Sequence, residues 1–417
     1  MYNRDIRLRL ANTIFATQSL LTASQIAIFT LLGIMAEALS GQKSLAGIPS
    51  SVLTLSTAIA AVPIGLMMGR FGRRMGLSLS YGLSIVGAVI GIYAIIEGQF
   101  LMLILSSAVI GLGRAGANQS RFAVGELFFE QQRGRWIGII VFAGTVGAIL
   151  GPLLVVPGSW IADATGMDRN TGPWIIATIL YSLATMIILF LLYPEPAIIA
   201  RQIDAQENSR KKKKQGEAEE TGRSVIELLK LPRVQLAVIS MLISQVVMVM
   251  LMVMTPIHMH DHGHTEGSIG FVLTAHTTGM FGFSWLTGRL VDRYGRVPMM
   301  IAAAITLIAS AIIAPLGTSM PFLVIGLFLL GLGWNFGYVA GSSLLADALE
   351  GVERTRMQGT NDMLVAGAAA LGSFSSGPIL ATGGYVTIAG IGIVITLLFI
   401  WIIRLLSPSE LELRAAQ

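Results

Sequence analysis

Twelve stretches of about 20 predominantly apolar residues dominate the 417-residue chain. The hydrocarbon core of a bilayer is roughly 30 Å thick, and about 20 apolar residues of helix are needed to cross it. Continuous apolar runs of this length are typical of spanning helices rather than of alternating barrel strands. We therefore predict an all-α polytopic membrane protein with spans near residues 10–36, 48–68, 75–96, 99–127, 136–157, 173–193, 234–256, 267–288, 297–317, 320–346, 357–381 and 384–406.

The distribution of charge predicts the orientation. Only 12% of residues are charged, against about a quarter in a soluble domain. With both termini cytoplasmic, all but four of the 28 lysines and arginines fall on the inner side; Lys43 and Arg169 lie outside, and Arg114 and Arg121 lie within a span. This predicts a multi-pass protein of the cell (inner or plasma) membrane. Topology thus accounts for the net charge of +5, and we expect no nucleic-acid partner.

The chain divides at a polar interval. Residues 196–233, which include "RKKKKQGEAEE", are predicted to be a charged cytoplasmic linker, with docking on anionic lipid as the alternative. Six spans precede it in 1–195 and six follow it in 234–417. "TASQ" recurs as "LISQ" and "GRFGRR" as "DRYGRV", at offsets of 220 to 223 residues. These echoes predict two pseudo-symmetric six-helix bundles, an architecture of secondary transporters.

Two loop motifs carry a family resemblance. "GLMMGRFGRR" (65–74) and "GRLVDRYGRV" (288–297) resemble the loop of the major facilitator superfamily between its second and third helices, echoed between the eighth and ninth. The second copy keeps the acidic residue as Asp292, whereas the first has Gly69. The resemblance implies two bundles that rock about a central site, with gating residues in these loops. They are Gly65, Arg70, Gly72, Arg73, Gly288, Asp292, Arg293, Gly295 and Arg296.

Further matches extend the resemblance. Glu126 with Arg133, and Asp347 or Glu350 with Arg354, stand where the family carries a cytoplasmic ion-pair network. The sixth span ends in "YPEP" and the twelfth in "SPSE", which resemble acidic-proline signatures of the family.

The fifth span carries a glycine-rich face. "GTVGAILGP" places Gly144, Gly147, Gly151 and Pro152 at close-packing spacing. It is similar to the G-x-x-x-G-P element of exchangers in this superfamily, although Val155 and Val156 replace the terminal glycine pair. The element favours antiport over symport.

The fourth span contains two intramembrane arginines. Arg114 lies 15 residues, or about 22 Å of helix, from Gln99, and Arg114, Asn118 and Arg121 share one face by i, i+4, i+7 spacing. An arginine at the bilayer centre costs at least ~2.5 kcal/mol, so it needs a cavity or a partner. Because no carboxylate is expected at that depth, a substrate anion is one partner. The alternative is that these arginines bond to helix-end carbonyls, glutamines or water, or that a longer helix places Arg121 at the inner membrane interface.

The resemblance also predicts the cavity lining and the coupling residues. In the family the first, fourth, seventh and tenth helices line the cavity, which here supplies uncharged hydrogen-bonding groups; interhelical bonding is the alternative role for them. They are Gln18, Thr22, Gln25, Gln245, Trp334, Asn335 and Tyr338. Candidates for proton coupling are His276, Glu126 and Asp347.

One short stretch concentrates histidine. "HMHDHGH" carries His258, His260, His262 and His264, which in an extended chain point the same way and would converge on Zn, Ni or Cu. Because Pro256 is predicted to end the seventh helix, the alternative is a polar external turn or gate.

The sequence therefore predicts a secondary active transporter and not an enzyme, with no cofactor, acting as a monomer. Proton-coupled export of a small organic molecule, anionic if Arg114 binds it, is favoured. Proton-coupled uptake of an organic anion is the first alternative, and divalent metal transport or a non-transporting membrane sensor the next. With no cysteine, thiol catalysis and thiolate metal sites are excluded.

Overall fold

The computed structural model describes residues 4–203, 223–349 and 351–406, and these residues form helices joined by short turns. Within them, ten helices are long and apolar enough to cross a membrane. The tenth contains both predicted spans after residue 356, with Gly384 at φ +71° interrupting it. The predicted eighth span is divided into two shorter helices and is not one of the ten. These two features reconcile the ten helices with twelve spans, and the all-α polytopic fold is confirmed.

The helices before the linker are α1 to α9. Their bounds are α1 Arg4–Ser40, α2 Ile48–Phe71, α3 Arg73–Ile96, α4 Phe100–Asn118, α5 Ser120–Gly125, α6 Glu130–Leu150, α7 Val155–Ala164, α8 Gly172–Leu191, and α9, which includes 196–203. A 3-10 turn, Gly151–Leu154, joins α6 to α7, so the fifth span continues to Ala164. The fourth span is interrupted at Gln119, between α4 and α5.

The helices after the linker are α10 to α16. Their bounds are α10 Val225–Leu228, α11 Pro232–Asp261, α12 Glu266–Thr277, α13 Ser284–Tyr294, α14 Arg296–Ile313, α15 Met320–Ala348 and α16 Gly351–Leu406. A π-helical turn, Thr278–Gly282, separates α12 from α13. The prediction that Pro256 ends the seventh helix is wrong, because α11 continues through it to Asp261.

By packing, the chain falls into two compact units. As far as their residues are described, one comprises Met1–Ala218 with His264–Thr274, and the other Glu219–Gly263 with Ala275–Gln417. The ends of the predicted linker are helical: α9 buries Ile199 and Ile203, and α10 buries Leu228. The basic run between them lies outside the described residues.

Glycines on α6 allow it to pack closely on α1 in the first unit. A Cβ at Gly147 would lie 2.8 Å from the backbone nitrogen of Ala23, and one at Gly151 would lie 2.7 Å from Cβ of Ile26. Gly144 has more room, since its nearest neighbour would be Oγ1 of Thr22 at 3.6 Å. Small residues give this approach in membranes, where dispersion contacts replace the hydrophobic effect between helices. The glycine spacing thus produces close packing at Gly147 and Gly151.

Asn335 of α15 stabilises the break between α12 and α13. Its Nδ2 donates to the Met280 carbonyl at 2.6 Å and to the Ser284 hydroxyl at 2.8 Å. Its Oδ1 accepts a hydrogen bond from the Thr287 hydroxyl at 2.5 Å, and the side chain is 1% exposed. A π-turn displaces backbone groups from their helical partners, and inside a bilayer these groups need substitutes from the protein. Both amide donors of Asn335 are therefore committed to this break.

We expect Asn335→Ala to destabilise the protein. It removes the partners of the Met280 carbonyl and of two hydroxyls, and each buried polar group left unsatisfied costs about 1–3 kcal/mol. The apparent Tm of the detergent-solubilised protein should fall clearly. Asn118→Ala is the matched control, because Asn118 is exposed at the end of α4 and forms no hydrogen bond with any described residue. Equal Tm values for the two variants would contradict this role.

Candidate functional site

Arg114 is a half-buried cation in the first unit. It is the fifteenth residue of α4, counted from Phe100, and its guanidinium forms no hydrogen bond or ion pair with the residues that the structure describes. It lies within electrostatic range of Tyr181 on α8. Tyr181 is fully buried, and its hydroxyl also has no hydrogen-bond partner in the described part of the chain. The structure thus places a positive charge near a buried hydroxyl group that has no hydrogen-bond partner among the described residues.

The break at Gln119 interrupts the face predicted for Arg114, Asn118 and Arg121. Asn118 is exposed as the last residue of α4, and Arg121 belongs to the separate helix α5. The Arg121 guanidinium lies 4.8 Å from the ring centroid of Phe122, a cation–π contact. The i, i+4, i+7 spacing assumed one regular helix, so the predicted common face depends on a regularity that the structure lacks.

Polar side chains of α1 contact α5. Gln18 accepts a hydrogen bond from the Ser120 hydroxyl at 3.0 Å and donates to Oγ1 of Thr22 at 3.4 Å. The bond from Ser120 corresponds to the interhelical alternative for Gln18, whereas the bond from Gln18 to Thr22 lies within α1. Gln25 differs, because it is 7% exposed and its Nε2 has no hydrogen-bond partner among the described residues.

The second unit contains an aromatic cluster. Trp334 stacks on Tyr338 with ring centroids 4.8 Å apart, and the Phe281 ring meets it edge-on at 5.7 Å. Its Nε1 donates to Oε1 of Gln245 at 2.8 Å. The structure therefore brings together three of the four predicted residues from this half, while Asn335 stabilises the helix break.

His276 is fully buried beside the same break. Its Nδ1 lies 2.9 Å from the Leu327 carbonyl oxygen, and its Nε2 has no hydrogen-bond partner in the described residues. One ring nitrogen is thus placed by the backbone while the other remains available.

The first loop motif is closed by two carboxylates. Nε of Arg73 donates to Oε2 of Glu126 at 3.0 Å, and a second, shorter contact joins Nη2 to Oε1. Glu195 of "YPEP" accepts hydrogen bonds from the backbone nitrogens of Arg73 at 2.6 Å and Arg74 at 3.2 Å, at the start of α3. A carboxylate there is favourable because the first N–H groups of a helix lack helical acceptors. Gly72, at φ +92°, has no space for a side chain, since a Cβ would lie 2.9 Å from the Glu195 carboxyl group.

Two arginines bind the C-terminal end of α8. Arg9 of α1 donates to the carbonyl of Tyr193 at 2.5 Å, and Arg74 of α3 donates to the carbonyl of Leu189. Cations at this end of a helix bind its unpaired carbonyls and oppose the negative end of its dipole. Sequence reasoning missed this use of both arginines and also missed Glu195; the acidic-proline motif was the available signal.

The second loop motif repeats the pairing of the first. Arg296 forms an ion pair with Asp347 at 2.8 Å, and the pair matches Arg73 with Glu126 at offsets of 223 and 221 residues. Gly295 has φ +90°, as Gly72 has +92°. The guanidinium carbon of Arg70 lies 5.5 Å from the ring centroid of Phe71. At the equivalent place in the second motif, that of Arg293 lies 5.3 Å from the ring centroid of Tyr294.

The remaining loop residues make fewer contacts. Asp292 is exposed and forms no ion pair with any described residue. A Cβ at Gly288 would meet nothing within 4 Å, and one at Gly65 would meet only Nε2 of Gln119 at 3.8 Å. The side chains of Arg133 and Arg354 and the whole of Glu350 lie outside what the structure describes, so their predicted network remains a prediction.

Glu353 forms an ion pair that sequence reasoning missed. Its Oε1 accepts from the backbone nitrogen and Nε of Arg223 at 2.8 and 3.0 Å, and Nη2 is 2.8 Å from Oε2. The hydrogen bond to Glu353 raises the pKa of Arg223. Next to it, Ser224 and Glu227 form a capping box at the start of α10, and hydrogen bonds from Ser224 lower the pKa of Glu227.

A polar cluster joins α12 to α7 in the first unit. Oε2 of Glu266 accepts from the Ser159 hydroxyl at 2.8 Å and lies 3.5 Å from Nε of Arg169, which also pairs with Asp163 at 2.9 Å. Beside it Gly270 approaches Pro152, whose carbonyl oxygen would lie 2.6 Å from a Cβ at that glycine. The predicted topology places this cluster on the outer side.

The four clustered histidines are not in an extended chain. His258 and His260 belong to the last turn of α11, His262 is its C-cap, and His264 lies beyond the helix. In the described residues, no group of three or more His, Asp or Glu side chains is arranged to hold a metal ion. The extended geometry on which a four-histidine metal site depended is therefore absent.

Together these features define a polytopic α-helical membrane protein whose two halves repeat a loop closed by an arginine–carboxylate pair. The chain matches the family model "Major Facilitator Superfamily" over residues 14–265 and 236–416, and it belongs to that family of membrane transporters. The family resemblance of the loop motifs is thereby confirmed.

Individual proteins agree with this assignment. The chain is 36% identical over 373 residues to the uncharacterized MFS-type transporter YdeG of Bacillus subtilis (strain 168), covering 89% of this chain and 85% of that protein. It is 28% identical over 374 residues to the riboflavin transporter RfnT of Brucella anthropi, covering 89% of both. Among solved structures, the chain resembles a bacterial homolog of the human lysosomal transporter Spinster in an inward-facing, occupied conformation. The TM-score is 0.71 at 14% identity, and the match covers 97% of this chain and 98% of that one.

The two loop ion pairs should differ in strength. The side chains of Arg73 and Glu126 are 15% and 34% exposed, against 31% and 52% for Arg296 and Asp347. Because water and salt screen exposed pairs, Glu126→Gln should lower the apparent Tm more than Asp347→Asn, and 1 M NaCl should reduce the second effect more. Asp292→Asn, at an exposed carboxylate that has no ion-pair partner among the described residues, should leave the Tm unchanged. The reverse order of the first two variants would refute this difference in screening.

Proposed function

We propose that this protein is a secondary active transporter that exports a small organic anion by alternating access in exchange for protons. The observation that carries the substrate assignment is the guanidinium of Arg114, which lies in a spanning helix and has no hydrogen-bond or ion-pair partner among the described residues. The family assignment supplies transport, and the site chemistry supports the class of substrate.

Arg114 supports an anionic substrate because placing its charge inside the bilayer costs free energy. Placing an arginine at the bilayer centre costs at least ~2.5 kcal/mol, and no carboxylate among the described residues offsets that cost. A guanidinium binds carboxylate or phosphate through paired hydrogen bonds, so a substrate anion would supply the missing partner. Tyr181, whose hydroxyl has no partner among the described residues, would add a donor near this charge.

The aromatic cluster supports an organic substrate over a metal ion. Trp334 and Tyr338 offer flat apolar surfaces, and Gln245 retains its amide donors because its oxygen accepts from Trp334. Apolar and aromatic walls with a few hydrogen-bonding groups are typical of sites for small organic molecules. A relative named as a riboflavin transporter points the same way, since riboflavin is itself a planar aromatic molecule.

Exchange for protons is supported by two features. The close-packed Gly147 and Gly151, followed by Pro152, resemble the G-x-x-x-G-P part of the element that exchangers of this superfamily carry, without its terminal glycine pair. His276 adds a buried ring nitrogen without a partner in the described chain, whereas Glu126 and Asp347 are already paired with arginines. We therefore assign the coupling proton to His276. We also propose that the protein acts as a monomer in the cell membrane.

Arg114→Gln should strongly reduce transport of an anionic substrate. A thermal-shift screen of organic acids and their neutral amides selects the substrate, and flux is then measured in proteoliposomes. Losing a hydrogen bond to a charged group costs about 1.5–3 kcal/mol, so we expect about a ten- to hundredfold lower flux at limiting substrate. Arg114→Lys should restore part of it, and Arg404→Gln, at the exposed end of α16, should change nothing. Undiminished anion flux in Arg114→Gln would refute the assignment.

The pH gradient should drive the same substrate in one direction. In proteoliposomes an acidic lumen should drive accumulation inside, because protons leave as substrate enters. Accumulation only with an alkaline lumen would show symport, and no response to either gradient would show uniport. His276→Gln should retain substrate exchange without a gradient but lose gradient-driven accumulation. Retention of gradient-driven accumulation in that variant would assign the proton elsewhere.

A further inference from the structure

Two of the clustered histidines lie one helical turn apart on the same face of a helix. His258 is in the last turn of α11, and His262 is the C-cap residue of that helix. Residues four apart on a helix are neighbours, whereas residues two apart point in different directions. His260 therefore points away from this pair, and His264 lies beyond the helix.

The ring of His262 is oriented by the backbone. Its Nδ1 lies 2.7 Å from the carbonyl oxygen of His258, which places a proton on Nδ1 and leaves the lone pair on Nε2. Metal-binding histidines in proteins commonly donate their second ring nitrogen to a backbone carbonyl in this way. The side chain is exposed, so this Nε2 is open to solvent.

The ring of His258 is oriented by an aromatic neighbour. It stacks on Tyr385 with centroids 4.5 Å apart and planes 9° from parallel. Tyr385 is itself held by a 2.8 Å hydrogen bond with Thr255. The two histidine rings then have centroids 4.5 Å apart and planes inclined at 59°. Both imidazoles are thus placed side by side before any ligand arrives.

We propose that His258 and His262 form a binding site for one divalent transition-metal ion, of the class of Zn²⁺, Ni²⁺ and Cu²⁺. Imidazole suits these ions, while Mg²⁺ and Ca²⁺ prefer oxygen ligands. A pair of histidines four apart on a helix is a recognised arrangement for zinc. Water completes the coordination, since the described residues offer no third ligand of the His or carboxylate class arranged with the pair. By the predicted topology, the site faces the outside.

Metal binding is measured by isothermal titration on the full-length, tag-free protein in detergent, with ZnCl₂, NiCl₂ and MgCl₂. We expect one Zn²⁺ or Ni²⁺ per chain and no Mg²⁺. His258→Asn and His262→Asn should each weaken binding by at least about tenfold, because each removes one of two ligands. The other two histidines of the motif are matched controls, and His260→Asn and His264→Asn should change affinity by less than about twofold.

A second readout guards against a folding defect at the stacked His258. ZnCl₂ should raise the apparent Tm of the wild type, because a ligand that binds only the folded state stabilises it, and His262→Asn should remove this rise without lowering the metal-free Tm. Absence of saturable Zn²⁺ and Ni²⁺ binding overturns the proposal. So does an equal loss of affinity in all four variants, which would indicate non-specific binding by the whole motif. These measurements need no transport, so they stand apart from the proposed function.

Discussion

Every polar group of the backbone that leaves a helical pattern needs a partner, which inside the bilayer must come from the protein, and several contacts at helix breaks and helix ends supply such partners. Asn335 supplies donors where the eighth span breaks. Glu195 accepts from the first N–H groups of α3, Arg74 donates to a carbonyl in the last turn of α8, and Arg9 donates to the carbonyl of Tyr193 just beyond that helix. Side chains thus satisfy the backbone where the helices break and end, while apolar packing stabilises the middles of the helices.

The arginine–carboxylate pairs at the helix ends repeat between the two halves of the chain. Arg73 pairs with Glu126, and Arg296 pairs with Asp347 at nearly the same offset. The loops differ in their acidic position, because Asp292 corresponds to Gly69. In the first half Glu195 brings a carboxylate to the loop instead. The loss of an acidic residue in one copy is therefore accompanied by a carboxylate from the end of the sixth span.

Features that depend on length, composition or local steric demand could be predicted from the sequence. The spans follow from apolar length, and the left-handed conformations of Gly72 and Gly295 follow from turns that only glycine adopts easily. The breaks at Gln119 and at Thr278–Gly282 could not, because neither carries proline and each depends on packing by other helices. The prediction of an extended histidine motif is wrong because Pro256 does not end α11. The helix continues into the motif, and helical geometry replaces the extended geometry that a four-histidine site requires.

The candidate site was less predictable than the fold because a residue type does not say which neighbour uses it. Asn335 and Gln245 are both amides on spanning helices, yet one is committed to a helix break and the other supports an aromatic ring. Arg73 and Arg114 are both arginines, but of the two only Arg73 has a carboxylate partner in the described part of the chain. Within the described residues, the expected pairing of an arginine with a carboxylate thus holds for Arg73 and not for Arg114. Since departures from such local rules concentrate at functional sites, this difference supports the proposed role of Arg114 in binding an anionic substrate.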